Sequence, residues 1–287
     1  MNKIALCMSG YFGSTRDPNS DGKVASDYIK RVLLDKYDID IFIHTWDVDR
    51  KDEISEIYEK NLKDMVVQPQ YNFDKETKLL EGDWSNSPTT KLVTLSQAYG
   101  RQKSIKIKKE YEDENNFVYD WVIYARFDLG LRDVPTAQPK YRCCEIKFDS
   151  EYDNRYLYSK YWNQMNQGFA DMWLYSNSKT MDIYSEYYDY IFKYMKLDSD
   201  YIRAITNDWP DSNLEDEFSN EIFRKNKSNN NIKIPLNWSL GNNHTMLKWF
   251  LIEKKIYPNK LRFPVDVDNY NFEELNSGIY EFKLLGK

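Results

Sequence analysis

Three stretches of this 287-residue chain carry an apolar run straight into residues able to handle an anion or a sugar. The first is Lys3-Ile-Ala-Leu-Cys-Met-Ser9, which runs into Gly10-Tyr11-Phe12-Gly13-Ser14-Thr15-Arg16. Gly10 and Gly13 would let backbone N–H groups approach a phosphate closely, and Arg16 would add a bidentate cation. The spacing matches neither G-x-x-x-x-G-K-[ST] nor G-x-G-x-x-G, so a kinase-type P-loop or an NAD fold is not expected. The same residues also read as an ordinary strand-to-helix turn. The second stretch, Asp40-Ile-Phe-Ile-His-Thr-Trp46, brings a Trp to a strand end, where it either stacks on a base or sugar or packs into the core. The third, Tyr119-Asp-Trp-Val-Ile-Tyr-Ala125, continues into Arg126-Phe127-Asp128. Alternation places Arg126 and Asp128 on one face. Burying such a pair is costly unless it is used or tightly compensated, so the readings are a site or a structural ion pair.

The elements that must position these residues follow from periodicity. Apolar runs predict strands over 3–9, 40–46, 65–67, 119–125, 172–175 and 232–235. Helical spacing predicts helices over 23–36, 52–63, 89–114, 178–196 and 212–225, and residues 69–88 read as a loop. Strand and helix alternate through the first 130 residues, which implies βαβ units and a mostly parallel sheet flanked by helices. A mixed α+β part follows. No linker divides the chain, so the expectation is one domain over 1–287.

Composition narrows the class. Lys and Arg number 40 against 46 Asp and Glu, a net charge of −6, which argues against a protein that coats nucleic acid. The window 101–109 is nonetheless rich in cations and reads either as a local basic groove or as a solvated helix face ordered by neighbouring charges. No apolar window is long enough to span a bilayer and the N-terminus lacks a signal-peptide pattern, so a cytoplasmic chain without stable membrane insertion is expected. Three cysteines, two adjacent at 143 and 144, do not make a disulfide scaffold or a Cys₄ zinc site.

Taken in order, Ile4-Ala-Leu-Cys-Met-Ser-Gly-Tyr11 with Arg16, then Asp40-Ile-Phe-Ile-His-Thr-Trp46, then Tyr119-Asp-Trp-Val-Ile-Tyr-Ala-Arg-Phe-Asp128, resemble a family of small bacterial and phage glycosyltransferases of the GT-A type. The resemblance covers most of 3–130 and, more loosely, 167–225, and it implies a nucleotide-sugar-binding half over 1–130 and an acceptor-side half over 131–287. It implies a GT-A-like, Rossmann-like sheet, a nucleotide-sugar donor of the UDP-linked kind, and an Asp-x-Asp motif holding a divalent cation against the donor diphosphate. Here that motif reads Arg126-Phe127-Asp128. A cation replaces the first carboxylate, so either Asp128 holds Mg²⁺ or Mn²⁺ with diphosphate oxygens and waters, or Arg126 neutralises the diphosphate directly.

Further roles come with the same resemblance. Gly10, Tyr11 and Trp46 would line the nucleotide site, with Arg16, Arg126 and Asp128 at the diphosphate. Gln167-Gly-Phe-Ala-Asp171-Met would face the acceptor, and Leu214-Glu215-Asp216 resembles the element that often carries the base. Asp171, Glu215 and Asp216 are thus the candidates for deprotonating an acceptor hydroxyl. Glu215 and Asp216 also suit a capped helix start. His244 lies where such enzymes often place a metal-binding histidine, though a lone histidine is often structural. One branch of the family modifies 5-hydroxymethylcytosine in phage DNA by glucosyl or arabinosyl transfer, and this acceptor is the one expected here. Surface-polysaccharide transfer is the alternative, and a non-catalytic nucleotide- or carbohydrate-binding module is the rival of another class.

Overall fold

The computed structural model describes residues 2–13, 22–82, 84, 89–127, 146, 148, 152–159, 173–202, 243–256 and 261–262. Its strands are β1 (Ile4–Gly10), β2 (Ile39–Thr45), β3 (Leu62–Val67), β4 (Trp121–Arg126), β5 (Leu157–Ser159), β6 (Trp173–Ser176) and β7 (Leu261–Arg262). The helices are α1 (Gly22–Ile29), α2 (Lys51–Tyr58), α3 (Asp74–Leu79), α4 (Lys91–Asn115), α5 (Ser178–Ser185), α6 (Tyr187–Tyr194) and α7 (Asn243–Glu253). A π-helical stretch, Lys30–Leu34, extends α1.

The strands form one mixed sheet in the order β3-β2-β1-β4-β6-β5-β7. Parallel pairing joins β3 to β2, β2 to β1 and β1 to β4, whereas β6 runs antiparallel to both β4 and β5. The protein is therefore α/β, with a mostly parallel sheet to which both chain halves contribute strands.

Strand alternation sorts the core into two layers. Ala5, Cys7, Phe42, Val122 and Tyr124 face α4 to α7, and Ile4, Leu6, Met8, Ile41 and Ile123 face α1 and α2. With both faces covered, the central strands read as nearly continuous apolar runs. That is why β1, β2 and β4 were so legible.

Helix ends follow local chemistry. Thr90 caps α4 by accepting from the Val93 amide at 3.2 Å, and Asn116 ends it in the left-handed region at φ 54°. The helix α3 lies inside the stretch 69–88 that reads as loop. Asn72 Oδ1 accepts from the Asp74 amide at 2.8 Å, with acids in the first turn and Lys78 in the last. The predicted helix over 178–196 breaks at Glu186 into α5 and α6, and Lys254 Nζ meets the Glu186 carboxylate at 2.5 Å. The expected elements over 212–225 and 232–235 lie outside the described residues.

Candidate functional site

The chain moves outward from β1 to β2 and β3, then crosses to the other side of β1 to place β4. Successive connections leave on opposite sides there, and the carboxyl ends of β1 and β4 at such a switch point are the place where open α/β sheets bind ligands. Register aligns the strand ends: Ser9 pairs with Arg126, and Gly10 with Thr45.

Gly10 takes φ +118°, a conformation L side chains rarely adopt, and this turns the chain off β1. A Cβ there would meet nothing within 4 Å, so backbone conformation rather than space requires the glycine. The turn is clamped at several points. Phe12 sits edge-on to Phe127 at 5.5 Å, and the Arg50 guanidinium lies 4.6 Å from its ring centroid. At the head of α1, a Cβ on Gly22 would fall 1.8 Å from the Phe12 carbonyl oxygen. The Phe12 amide donates to Asp47 Oδ2 just beyond β2, and the Gly13 amide hydrogen-bonds to the same carboxylate. Burial raises the Asp47 pKa, while these amides and Arg50 pull against the rise.

Tyr11 is 43% exposed, and its hydroxyl donates to Gln70 Oε1 at 3.2 Å. Ser96 Oγ of α4 donates to the same oxygen at 3.3 Å. Gln70 thereby ties the β1 turn to α4 and leaves the Tyr11 ring at the surface.

Arg126 is half-buried at the end of β4 and shares the face of Tyr124 by alternation. Beneath it, Ser9 Oγ and Tyr124 Oη are 3.0 Å apart. The next layer is Arg101, buried against the rings of Tyr124, Tyr184 and Tyr187 at 5.1, 4.7 and 5.7 Å. His244 is half-buried near the start of α7.

Trp46 occupies a different environment from the one its position suggests. It is only 4% exposed, stacks on Tyr99 at 5.6 Å and 22°, and meets His44 edge-on at 4.5 Å. Tyr99 holds the stacking position envisaged for a base, so Trp46 is a packing residue. His44 is fully buried, and neither ring nitrogen has a hydrogen-bond partner. Burial, with a smaller push from Lys103, lowers its pKa to about 4 and keeps the ring neutral.

The window 101–109 is neither a groove nor a simply solvated face. Lys108 is buried, with its ammonium 2.9 Å from Glu112 Oε2, 2.6 Å from Asp182 Oδ1 and 2.5 Å from Ser178 Oγ. Lys106 and Lys109 pair with Glu110 and Asp113 at 3.9 and 3.0 Å, and Lys103 lies over Tyr99. With Arg101 buried among tyrosines, the sign change after residue 109 is explained by i to i+4 pairs along α4.

The structure thus brings Gly10, Tyr11 and Arg126 to one rim, with Trp46 packed below it. Arg16, Asp128, Asp171, Glu215 and Asp216 lie outside the described residues. Among the described residues no group of three or more His, Cys, Asp or Glu side chains is placed to hold a metal ion. None of their helices is long and apolar enough to cross a membrane. Sequence reasoning missed Asp47, Gln70 and Gly22. Asp47 stood beside the noted Trp46, but nothing local announced that its carboxylate crosses to the β1 turn. The chain matches no protein-family model and no curated protein.

Proposed function

We propose that this chain is a nucleotide-sugar-dependent glycosyltransferase with a GT-A-like sheet, its donor lying across the carboxyl ends of β1 and β4. The observation that carries the reading is the reversal of strand order between β1 and β4, with Arg126 opposite Ser9 and the open Gly10 turn beside it. Arg126 supplies positive charge where a leaving nucleoside diphosphate needs it. The exposed Tyr11 ring offers a face to the nucleoside. Asp128 follows Arg126 by two residues and acts at the diphosphate, with or without Mg²⁺ or Mn²⁺; Arg16 is its cationic partner. Asp171, Glu215 and Asp216 remain the candidates for the base.

Of the two acceptors the resemblance implies, 5-hydroxymethylcytosine in DNA loses the support of the 101–109 window, whose cations are engaged within α4 and its neighbours. A saccharide hydroxyl needs no basic stripe and suits a net charge of −6. The test offers labelled UDP-, GDP- and CMP-sugars with hydroxymethylcytosine DNA or with a lipid-linked glycan. Label on either acceptor supports transfer and identifies the branch. No label on either, together with no donor hydrolysis, contradicts the reading and favours a binding module.

A further inference from the structure

Asp47 lies at the end of β2, 35 residues along the chain from Phe12, yet its carboxylate reaches the β1 turn and takes the Phe12 and Gly13 amides. Two successive backbone N–H groups converging on one anion are a recurring way of binding a phosphate oxygen. Here the anion is a carboxylate of the chain itself, an oxygen-bearing group of the same acceptor chemistry. The turn is preformed: Gly10 sets its direction, Gly22 packs directly on the Phe12 carbonyl, and Arg50 covers the Phe12 ring.

We infer that the Phe12–Gly13 amides form an oxyanion site that Asp47 fills until a phosphate oxygen of the donor replaces it. The inference rests on the reading of these strand ends as a nucleotide-sugar site and adds where one phosphate oxygen sits and what it displaces. Burial disfavours the charged form of Asp47, and the two amides and Arg50 offset this only in part. The donor diphosphate, which carries two negative charges, can replace it only when Asp47 swings away, because two anions at hydrogen-bond distance repel strongly. Arg50, which faces Asp47 and also bonds Glu53 at 2.7 Å, is the nearby cation able to receive the released carboxylate.

Inorganic pyrophosphate and UDP are titrated by calorimetry into wild type, Asp47→Asn and Asp47→Ala, with amide NMR shifts of Phe12 and Gly13 followed in parallel. Circular dichroism and thermal melts establish that each variant is folded, and Asp47→Asn preserves size where Asp47→Ala does not fold. The expected result is pyrophosphate binding roughly tenfold or more tighter in the variants, the scale of removing a like charge from the site, with both amides shifting. Equal or weaker binding by the folded variants, or shifts elsewhere alone, overturns the inference. If wild type binds a UDP-sugar while the variants gain nothing, the exchange fails and the donor reading stands. If no UDP-sugar binds wild type but the variants gain pyrophosphate, the donor reading fails and the oxyanion site stands.

Discussion

Gly100 in α4 lies directly against Ser9 in β1: a Cβ on Gly100 would stand 3.2 Å from both Cβ and Oγ of Ser9, and 3.3 Å from His44 Nδ1. The one glycine interrupting a 25-residue helix therefore sits against the strand end carrying the candidate site. Ser9 in turn meets Tyr124 Oη at 3.0 Å, beneath Arg126. Close helix–strand approach and position of the site are one feature.

Gly100→Ala should lose stability despite better helix propensity. Alanine gains about 1 kcal/mol over glycine in a helix interior, but forcing a methyl into this contact costs about 1–3 kcal/mol. Urea unfolding should show a lower midpoint at unchanged slope, and Gly100→Val should lose more. A rise in midpoint for Gly100→Ala would show that Ser9 and His44 can yield.

Lys108 and Glu112 are both essentially unexposed, and Glu112 also accepts from the Tyr119 amide at 2.8 Å. Lys108→Met should cost about 3–5 kcal/mol, because Glu112 is left buried beside Asp182 without its cation. Lys108→Met combined with Glu112→Gln should recover part of that loss, because one carboxylate, Asp182, is then left without its cation instead of two. Denaturant unfolding of the single and double variants gives the coupling.

His44 makes stability depend on pH in a definite direction. Its pKa falls from 6.5 to about 4 on folding, chiefly through burial. The folded state therefore holds fewer protons than the unfolded state between those values. The stability from keeping the ring neutral is complete above pH 6.5 and is lost as pH falls toward 4, on the order of 3 kcal/mol in total. His44→Phe keeps a ring in the cluster and should lack this component. The measurement is the difference between wild type and variant in unfolding free energy at pH 7 and at pH 4; identical slopes would contradict the assignment.

Trp46→Ala should cost about 3–5 kcal/mol through the cavity left against Tyr99, His44 and Phe73. Trp46→Phe should remain folded with the nucleotide affinity of wild type. A selective loss of affinity in Trp46→Phe would restore Trp46 to the binding surface.

The parts of the fold that were legible share a physical signature. β1, β2 and β4 are buried on both faces, so their apolar runs could hardly be anything else, whereas the buried face of α4 mixes Leu95, Ala98 and Ile105 with Arg101, Ser104, Lys108 and Glu112. The short α3 failed that test because its start is set by a turn in which Asn72 Oδ1 accepts from the Asp74 amide, and by end charges, rather than by apolar periodicity. At the site, Gly10, Tyr11 and Arg126 were visible as residues ending strands. Trp46 was ambiguous because a strand-end tryptophan looks the same from sequence whether Tyr99 or a ligand covers it. The basic window was legible in part: Lys106–Glu110 and Lys109–Asp113 are pairs of a solvated face ordered by its neighbours, whereas Lys108 is buried between Glu112 and Asp182 of α5, and only the fold supplies the second. Asp47 and Gln70 act through contacts 35 and 59 residues distant in the chain, beyond any local pattern.

Arg126, at the carboxyl end of β4 beside the β1 turn, is proposed to receive the diphosphate of a nucleotide sugar. Thermal melts of wild type and Arg126→Met with UDP-, GDP- and CMP-sugars, each with Mn²⁺ and with EDTA, test it most directly. Donor at about 100 times its Kd stabilises a protein by about 2.7 kcal/mol, which for a chain of this size is a shift of several degrees. The expected result is such a shift in wild type for at least one donor, and its loss in Arg126→Met when each protein is compared with its own ligand-free melting temperature. No shift in wild type with any donor, or an undiminished shift in Arg126→Met, would contradict it.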